Sequence, residues 1–311
     1  MKRIYGLCAL IFVLLCQQIC TLSARVPKTS KITFQSNRDG NDEIYLMNPD
    51  GSQQINLTRH PSGDFSPIWS PTGEEILFQS NRDGKFDLYL MAANGKNVRA
   101  IFRERRNRNS PSWSPDGKKI AYASNGSIYI STRDGKNIKK VVQGRAPAWS
   151  PIGEWIAFIP MPPVEIRLLN TETGEQEPIF RIQLGGRLED VSWAPDGHHL
   201  AFSGIDRAFW QQQTIYTLNR NGTMVKRVLK PKAPFWVEAV TWSPRGDKLL
   251  YVQRANGQSQ IFKIGLMDRR GEQLTHEGNF NSDAHWFDPV GLQVQPQANL
   301  LTTRWGELKR Q

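Results

Sequence analysis

The sequence predicts an all-β fold, a six-bladed β-propeller of four-stranded antiparallel blades, on three observations. One phrase recurs six times: Trp69-Ser-Pro-Thr-Gly73, Trp113-Ser-Pro-Asp-Gly117, Trp149-Ser-Pro-Ile-Gly153, Trp193-Ala-Pro-Asp-Gly197, Trp242-Ser-Pro-Arg-Gly246 and the looser Trp286-Phe-Asp-Pro-Val-Gly291. The tryptophans stand 44, 36, 44, 49 and 44 residues apart, the period of one propeller blade. Between the copies, β-branched and aromatic runs are punctuated by Gly, Pro, Asn and Asp, and no stretch shows a helical period. A blade cannot bury its own faces, so the copies must stack and their number sets the number of blades.

Residues 1–24 read as a secretory leader. Lys2 and Arg3 precede an apolar run from Ile4 to Cys16, and the small residues Thr21, Ser23 and Ala24 follow, with cleavage expected after Ser23 or Ala24. An uncleaved anchor is the alternative, but the run is shorter than the roughly 20 residues a span needs, and Gln17-Gln18 interrupts it. Cys8, Cys16 and Cys20 all lie in this leader, so neither disulfides nor a cysteine-ligated metal is expected in the mature chain. Without the leader the net charge falls from +11 to +9. The excess suits anionic envelope surfaces or acidic partners, or simply keeps the protein soluble. A periplasmic or secreted monomer, with no membrane span once the leader is cleaved, is expected, and an exported chain has little occasion to meet nucleic acid.

The propeller is expected over 25–291. In one blade, Pro67-Ile-Trp-Ser70 forms the first strand, and Pro71-Thr-Gly73 the turn after it. Glu75 to Ser80, Asp87 to Ala92 and Val98 to Phe102 supply the other three, with Asn94-Gly95 as a hairpin signal. The first mature residues begin mid-blade: Lys31-Ile-Thr-Phe34, Glu43-Ile-Tyr-Leu46 and Ile55-Asn-Leu-Thr58 match second, third and fourth strands with no Trp-Ser-Pro before them. The missing first strand is expected around His285-Trp286-Phe287, closing the ring and removing open edges. The tail at 292–311 lies outside the repeat and is expected to pack on the last blade. The tryptophans themselves read as wedges between blades.

Trp-Ser-Pro-Asp-Gly, the Lys119-Ile-Ala-Tyr122 type of strand and Ser-Asn-Arg-Asp-Gly before Ile-Tyr-Leu-Met resemble the WD40-like propeller repeats of the TolB family, from Lys31 to about Asp288. That resemblance implies a periplasmic propeller that binds partner proteins, as in the Tol-Pal envelope system. The chain departs from the family in one respect: about six residues separate leader and first strand, where TolB has a further domain. The repeats are also similar to the propellers of prolyl-oligopeptidase-like peptidases, but the Gly-x-Ser-x-Gly elbow of their hydrolase domain does not occur. Oligogalacturonate lyases, a third relative by fold, use a His-rich metal site in the channel.

Strand order puts the Trp-Ser-Pro-x-Gly turns and the turns after the third strands at one end. The second-to-third turns and the crossings between blades lie at the other. The second set varies in length and composition, and variable loops on a rigid frame are where binding concentrates. Arg103, Arg105, Arg106 and Arg108 crowd one crossing, either as forks for carboxylate or phosphate or as a solvated loop. Phe209-Trp210 and Phe235-Trp236 form an aromatic cluster, suited to a protein hot spot or sugar platform, or to packing of two long loops on each other. Asp64, Glu189, Asp190, Glu238 and Asp283, with Arg145 at the matching place, precede the blade-heading tryptophans and are expected around the channel mouth. Convergent carboxylates suit a hard cation such as Ca²⁺, although ligands some 40 residues apart make no motif.

The enzymatic reading has little to stand on. His60, His198, His199, His276 and His285 are scattered, with no His-Glu-x-x-His, and His276 with His285 is the best ligand pair. The expectation is therefore a non-catalytic exported scaffold binding a protein or peptide at the loop-rich face and channel mouth, without a resident cofactor. The alternative is a carbohydrate-active propeller, lyase or lectin, holding an anionic sugar with a divalent metal.

Overall fold

The chain's first three strands, β1 (Lys31–Ser36), β2 (Glu43–Met47) and β3 (Ile55–Asn56), lack an inner partner until the far end of the chain returns to them. The computed structural model describes residues 26–162, 164–182, 186–205, 213–229 and 236–290; the expected leader and the expected C-terminal tail lie outside these. Blade 1 is β4 (Asp64–Trp69), β5 (Glu75–Ser80), β6 (Asp87–Ala92) and β7 (Arg99–Ala100). Blade 2 is β8 (Asn109–Trp113), β9 (Lys119–Ser124), β10 (Ser127–Thr132) and β11 (Lys139–Gln143). Blade 3 is β12 (Arg145–Trp149), β13 (Trp155–Ile159), β14 (Glu165–Asn170) and β15 (Gln176–Arg181). Blade 4 is β16 (Arg187–Trp193), β17 (His199–Ile205), β18 (Thr214–Asn219) and β19 (Lys226–Arg227). Blade 5 is β20 (Trp236–Trp242), β21 (Lys248–Ala255), β22 (Gln258–Gly265) and β23 (Gly271–Gln273), and β24 (Asn281–Phe287) follows.

Each blade is a four-stranded antiparallel sheet, and blade 6 has the order β24-β1-β2-β3. Ile32 faces Trp286 and Thr33 faces His285 across the closing pair, so the ring shuts as the repeat phase requires. The first strands run longer than expected (Asp64–Trp69 rather than 67–70), and the fourth strand of blade 1 shrinks to Arg99–Ala100.

The core lies between blades. Ile32 and Phe34 of blade 6 pack with Leu250, Val252 and Ile261 of blade 5, each full burial contributing about 1.5–3 kcal/mol. The tryptophans are wedges, as expected. Trp193 Nε1 donates to the Ala148 carbonyl of the preceding blade at 3.0 Å, and Trp242 Nε1 to that of Ser192 at 3.2 Å.

Short turns share one face because backbone bonds stitch them together. Ala93 N donates to Glu74 O at 2.9 Å, Arg133 N to Lys118 O at 2.9 Å and Arg220 N to His198 O at 2.8 Å. Gly135 shows why glycine closes such a turn: its φ is +75°, and a Cβ there would stand 2.5 Å from the Ile101 carbonyl oxygen of the neighbouring blade.

Candidate functional site

The channel is made by a kink that recurs in every inner strand. The register against the neighbouring strand slips between Phe65 and Ile68, Asn109 and Ser112, Arg145 and Ala148, Leu188 and Asp190, and Glu238 and Val240. In blade 6 the slip falls between Thr33 and Gln35, opposite β24. The residue three before the tryptophan is left-handed in five strands: Ser66 (48°), Ser110 (47°), Ala146 (50°), Ala239 (43°) and Asp283 (50°). A bulge of this kind bends the strand and re-aims its side chains.

All six inner strands line a cavity of about 960 Å³. One level of its wall is Ser66, Ser110, Ala146, Asp190, Ala239 and Asp283; two residues further along lies a level of Ile68, Ser112, Ala148, Ser192, Thr241 and His285. Glu189 and Glu238 line it above Asp190 and Ala239. The acids therefore come from three consecutive inner strands, β16, β20 and β24, whereas β4, β8 and β12 contribute neutral residues and Arg145. Half of the channel is acidic.

Each of these groups has a particular setting. Asp190 accepts hydrogen bonds from the Val191 N–H at 2.9 Å and, on the next blade, the Val240 N–H at 3.2 Å. Burial, and then the Asp283 carboxylate, push its carboxyl up to about 6 against those bonds and Arg145. Asp283 accepts from the Ser66 hydroxyl at 3.0 Å. Burial also holds its carboxyl above the ordinary range, with the hydroxyls of Ser66 and Ser282 opposing and Glu238 adding to the rise. His285 Nδ1 accepts the Trp69 N–H at 3.3 Å, and burial drives its imidazole down to about 4. Arg145 donates to the carbonyls of Glu189, at 3.1 Å, and Leu188.

The other expected site residues are placed differently. Asp64 does not reach the channel: it is fully buried, and both its oxygens accept from Arg82 Nη2 at 2.9 and 2.8 Å. Arg82 lies over the rings of Tyr89 and Phe78 and bonds Ser80, which accounts for the Ser-Asn-Arg-Asp-Gly turn as an internal clasp. Arg108 is buried as well, 2.7 and 2.9 Å from the two oxygens of Asp87 and 3.7 Å above Phe102. Arg105 pairs with Asp83 at 2.9 Å and Arg106 with Glu104 at 3.1 Å, while Arg103 is exposed. The four guanidiniums do not form one cradle.

Trp236 is half exposed at the start of β20, and Phe209, Trp210 and Phe235 lie outside the described residues. Exposed apolar side chains on the same face were not anticipated: Met161 and, packed on Phe65 at 5.4 Å, Phe86. Their signal in the sequence is an apolar residue inside a second-to-third turn, alone in the case of Phe86 and followed by Val164 in the case of Met161. Among the described residues, no three His, Asp or Glu side chains gather closely enough to hold a metal ion.

A family model described as TolB beta propeller domain matches residues 16–129 and 124–294. The chain belongs to the TolB β-propeller family. Within that family it is similar to the Tol-Pal system protein TolB of Geobacter sulfurreducens, 47% identical over 51 residues, 16% of this chain and 12% of that one. The Syntrophotalea carbinolica Tol-Pal system protein TolB is 43% identical over 49 residues, 16% of this chain and 11% of the relative. These matches thus span about an eighth of the relatives' length. The crystal structure of TolB from Acinetobacter baumannii superposes with a TM-score of 0.72 at 17% identity, over 83% of this chain and 66% of that one. At such identity the likeness to the solved TolB is one of fold.

Proposed function

We propose that this TolB-family propeller is a non-catalytic exported scaffold that captures a segment of a protein partner at its loop-rich face, with the segment's tip entering the channel. One observation supports this most: an acidic half-channel (Glu189, Asp190, Glu238, Asp283) opens on the face that presents Trp236, Met161 and Phe86. Exposed apolar side chains provide anchors, and the carboxylates favour a tip that bears a positive group. The leader-like first 24 residues and the family together support a cell-envelope setting.

Glu238→Lys combined with Trp236→Ala tests the site. The immobilised chain is expected to retain a partner from envelope extracts, and the double variant to release it while melting at the same temperature. Equal retention by both would remove the assignment. The carbohydrate alternative finds less support, because an acidic wall repels a polyuronate. Turnover of a polyuronate in the presence of divalent metals would reinstate it.

A further inference from the structure

Charge is segregated along this chain. Between residues 96 and 140 there are twelve Lys and Arg against three Asp and Glu, whereas the whole chain has 40 against 29. The fold gathers that stretch into one sector of the disc, from the outer edge of blade 1 through blade 2, with Arg103, Arg105, Arg106 and Arg108 in the crossing at the loop-rich face and the other eight cations at or beside the short turns.

Lys96 and Lys136 occupy equivalent turns of the two blades. Lys119 begins β9, and Lys139 and Lys140 lie on β11, the outermost strand; all five are exposed. Most of the acids nearby are already engaged, Glu74 beside the turn of Lys96 being the exposed exception. Glu75 takes Arg99 at 3.3 Å and Arg133 at 2.5 Å, Asp134 takes Lys136 at 2.8 Å, and Asp116 takes Lys118 at 3.7 Å. Among the described residues, Lys96, Lys119, Lys139 and Lys140 have no carboxylate within ion-pair distance.

Two aliphatic side chains stand among these ammonium groups. Val98 is 36% exposed and Ile138 49%. Each follows an asparagine held at positive φ, Asn97 at 57° and Asn137 at 52°, so equivalent turns in adjacent blades present equivalent apolar tips.

Lysines on an edge strand also guard against strand pairing. That need does not account for the density here, since β15 is a longer exposed edge and carries no lysine at all.

We propose that this basic and aliphatic sector of blades 1 and 2 is a docking surface for an anionic lipid bilayer. Flexible ammonium groups without fixed partners suit a fluid layer of phosphate headgroups better than a single shaped anion. Ile138 and Val98 suit the boundary between headgroups and acyl chains, a use that a polysaccharide does not offer them. Contact through these turns leaves the channel mouth, on the opposite face, open to a partner.

The test is co-sedimentation of the full chain, as cells leave it, with vesicles of phosphatidylglycerol mixed with phosphatidylcholine, against phosphatidylcholine alone. Binding is expected only on the anionic vesicles and is expected to weaken with salt. At about fivefold per lysine near an anionic surface, K139Q/K140Q lowers partitioning roughly 30-fold, while K139R/K140R retains it. Ile138→Ser lowers it several-fold without altering the salt dependence. Both lysines are exposed, so the melting temperature serves as the folding control. Equal binding to phosphatidylcholine alone, or undiminished binding by K139Q/K140Q, overturns the proposal. So does a soluble polyuronate that binds the wild type in the absence of lipid and displaces it from vesicles, since the surface would then be a glycan site.

Discussion

Asp190 and His285 sit in the same channel wall and respond to protons in opposite senses. Asp190 gains its proton near pH 6 when folded and near 3.8 when unfolded, so its contribution to stability rises as the pH falls across that interval. His285 charges near 6.5 unfolded but only near 4 folded, so its contribution is complete at neutral pH and is lost as the pH falls between those values. The two largely offset each other in the wild type. Removing His285 exposes the acids, and removing Asp190 leaves His285 opposed by Asp283, whose carboxyl is also held above the ordinary range. H285N, whose amide oxygen can still accept the Trp69 N–H, is expected to be more stable at pH 5 than at pH 7. D190N is expected to be less stable at pH 5 than at pH 7. Each difference is about 1 kcal/mol, allowing for solvent that reaches the channel wall. Urea denaturation at the two pH values measures both, and a matching slope in the two variants would mean that neither group titrates as its surroundings imply.

At the scale of the strand, acids at the head of three third strands tie down a crossing (Glu43, Asp87) or the end of the fourth strand (Glu165). Glu43 accepts the His60 N–H, Asp87 binds Arg108, and Glu165 binds Arg167 and Arg181. Replacing Arg108 with alanine strands Asp87 as a buried charge, so a loss of about 3–5 kcal/mol is expected in equilibrium unfolding. Arg103→Ala, on the exposed side of the same loop, is expected to stay within about 0.5 kcal/mol. If R108A proved as mild as R103A, Arg108 would not be the clasp the geometry implies. The same contrast explains how much the sequence reveals. Blades, turns and the returning strand are legible because period and turn chemistry are local. Arg108 and Asp64 are not, because each is decided by one partner about 20 residues away at a spacing that no motif marks. The bulges are equally silent, since Ser66, Ala146 and Ala239 share a conformation but no chemistry. Asp190 and Asp283 are readable as channel acids, because a fixed distance before the tryptophan places them.

For the whole molecule, closure of the ring and construction of the channel depend on the same strand. β24 covers Ile32 through Trp286 and packs Phe287 on Trp69 at 5.2 Å, while also delivering Asp283 and His285 to the channel wall. An array of blades without this strand would leave an open edge on β1 and uncover the apolar seam between blades 5 and 6, where Ala284 packs with Phe34 and Leu250. A chain ended before Asn281 is therefore expected to melt roughly 10–20 °C lower, at about 2–4 °C per kcal/mol for a domain of this size. It is also expected to aggregate as concentration rises. A separate peptide carrying Asn281 to Asp288 should restore much of the loss, because the register of β1 specifies its place residue by residue. Calorimetry of the truncated chain with and without the peptide measures this. An unchanged midpoint in the truncated chain would show that the ring holds without its closing strand, and the channel acids would then lack a fixed frame.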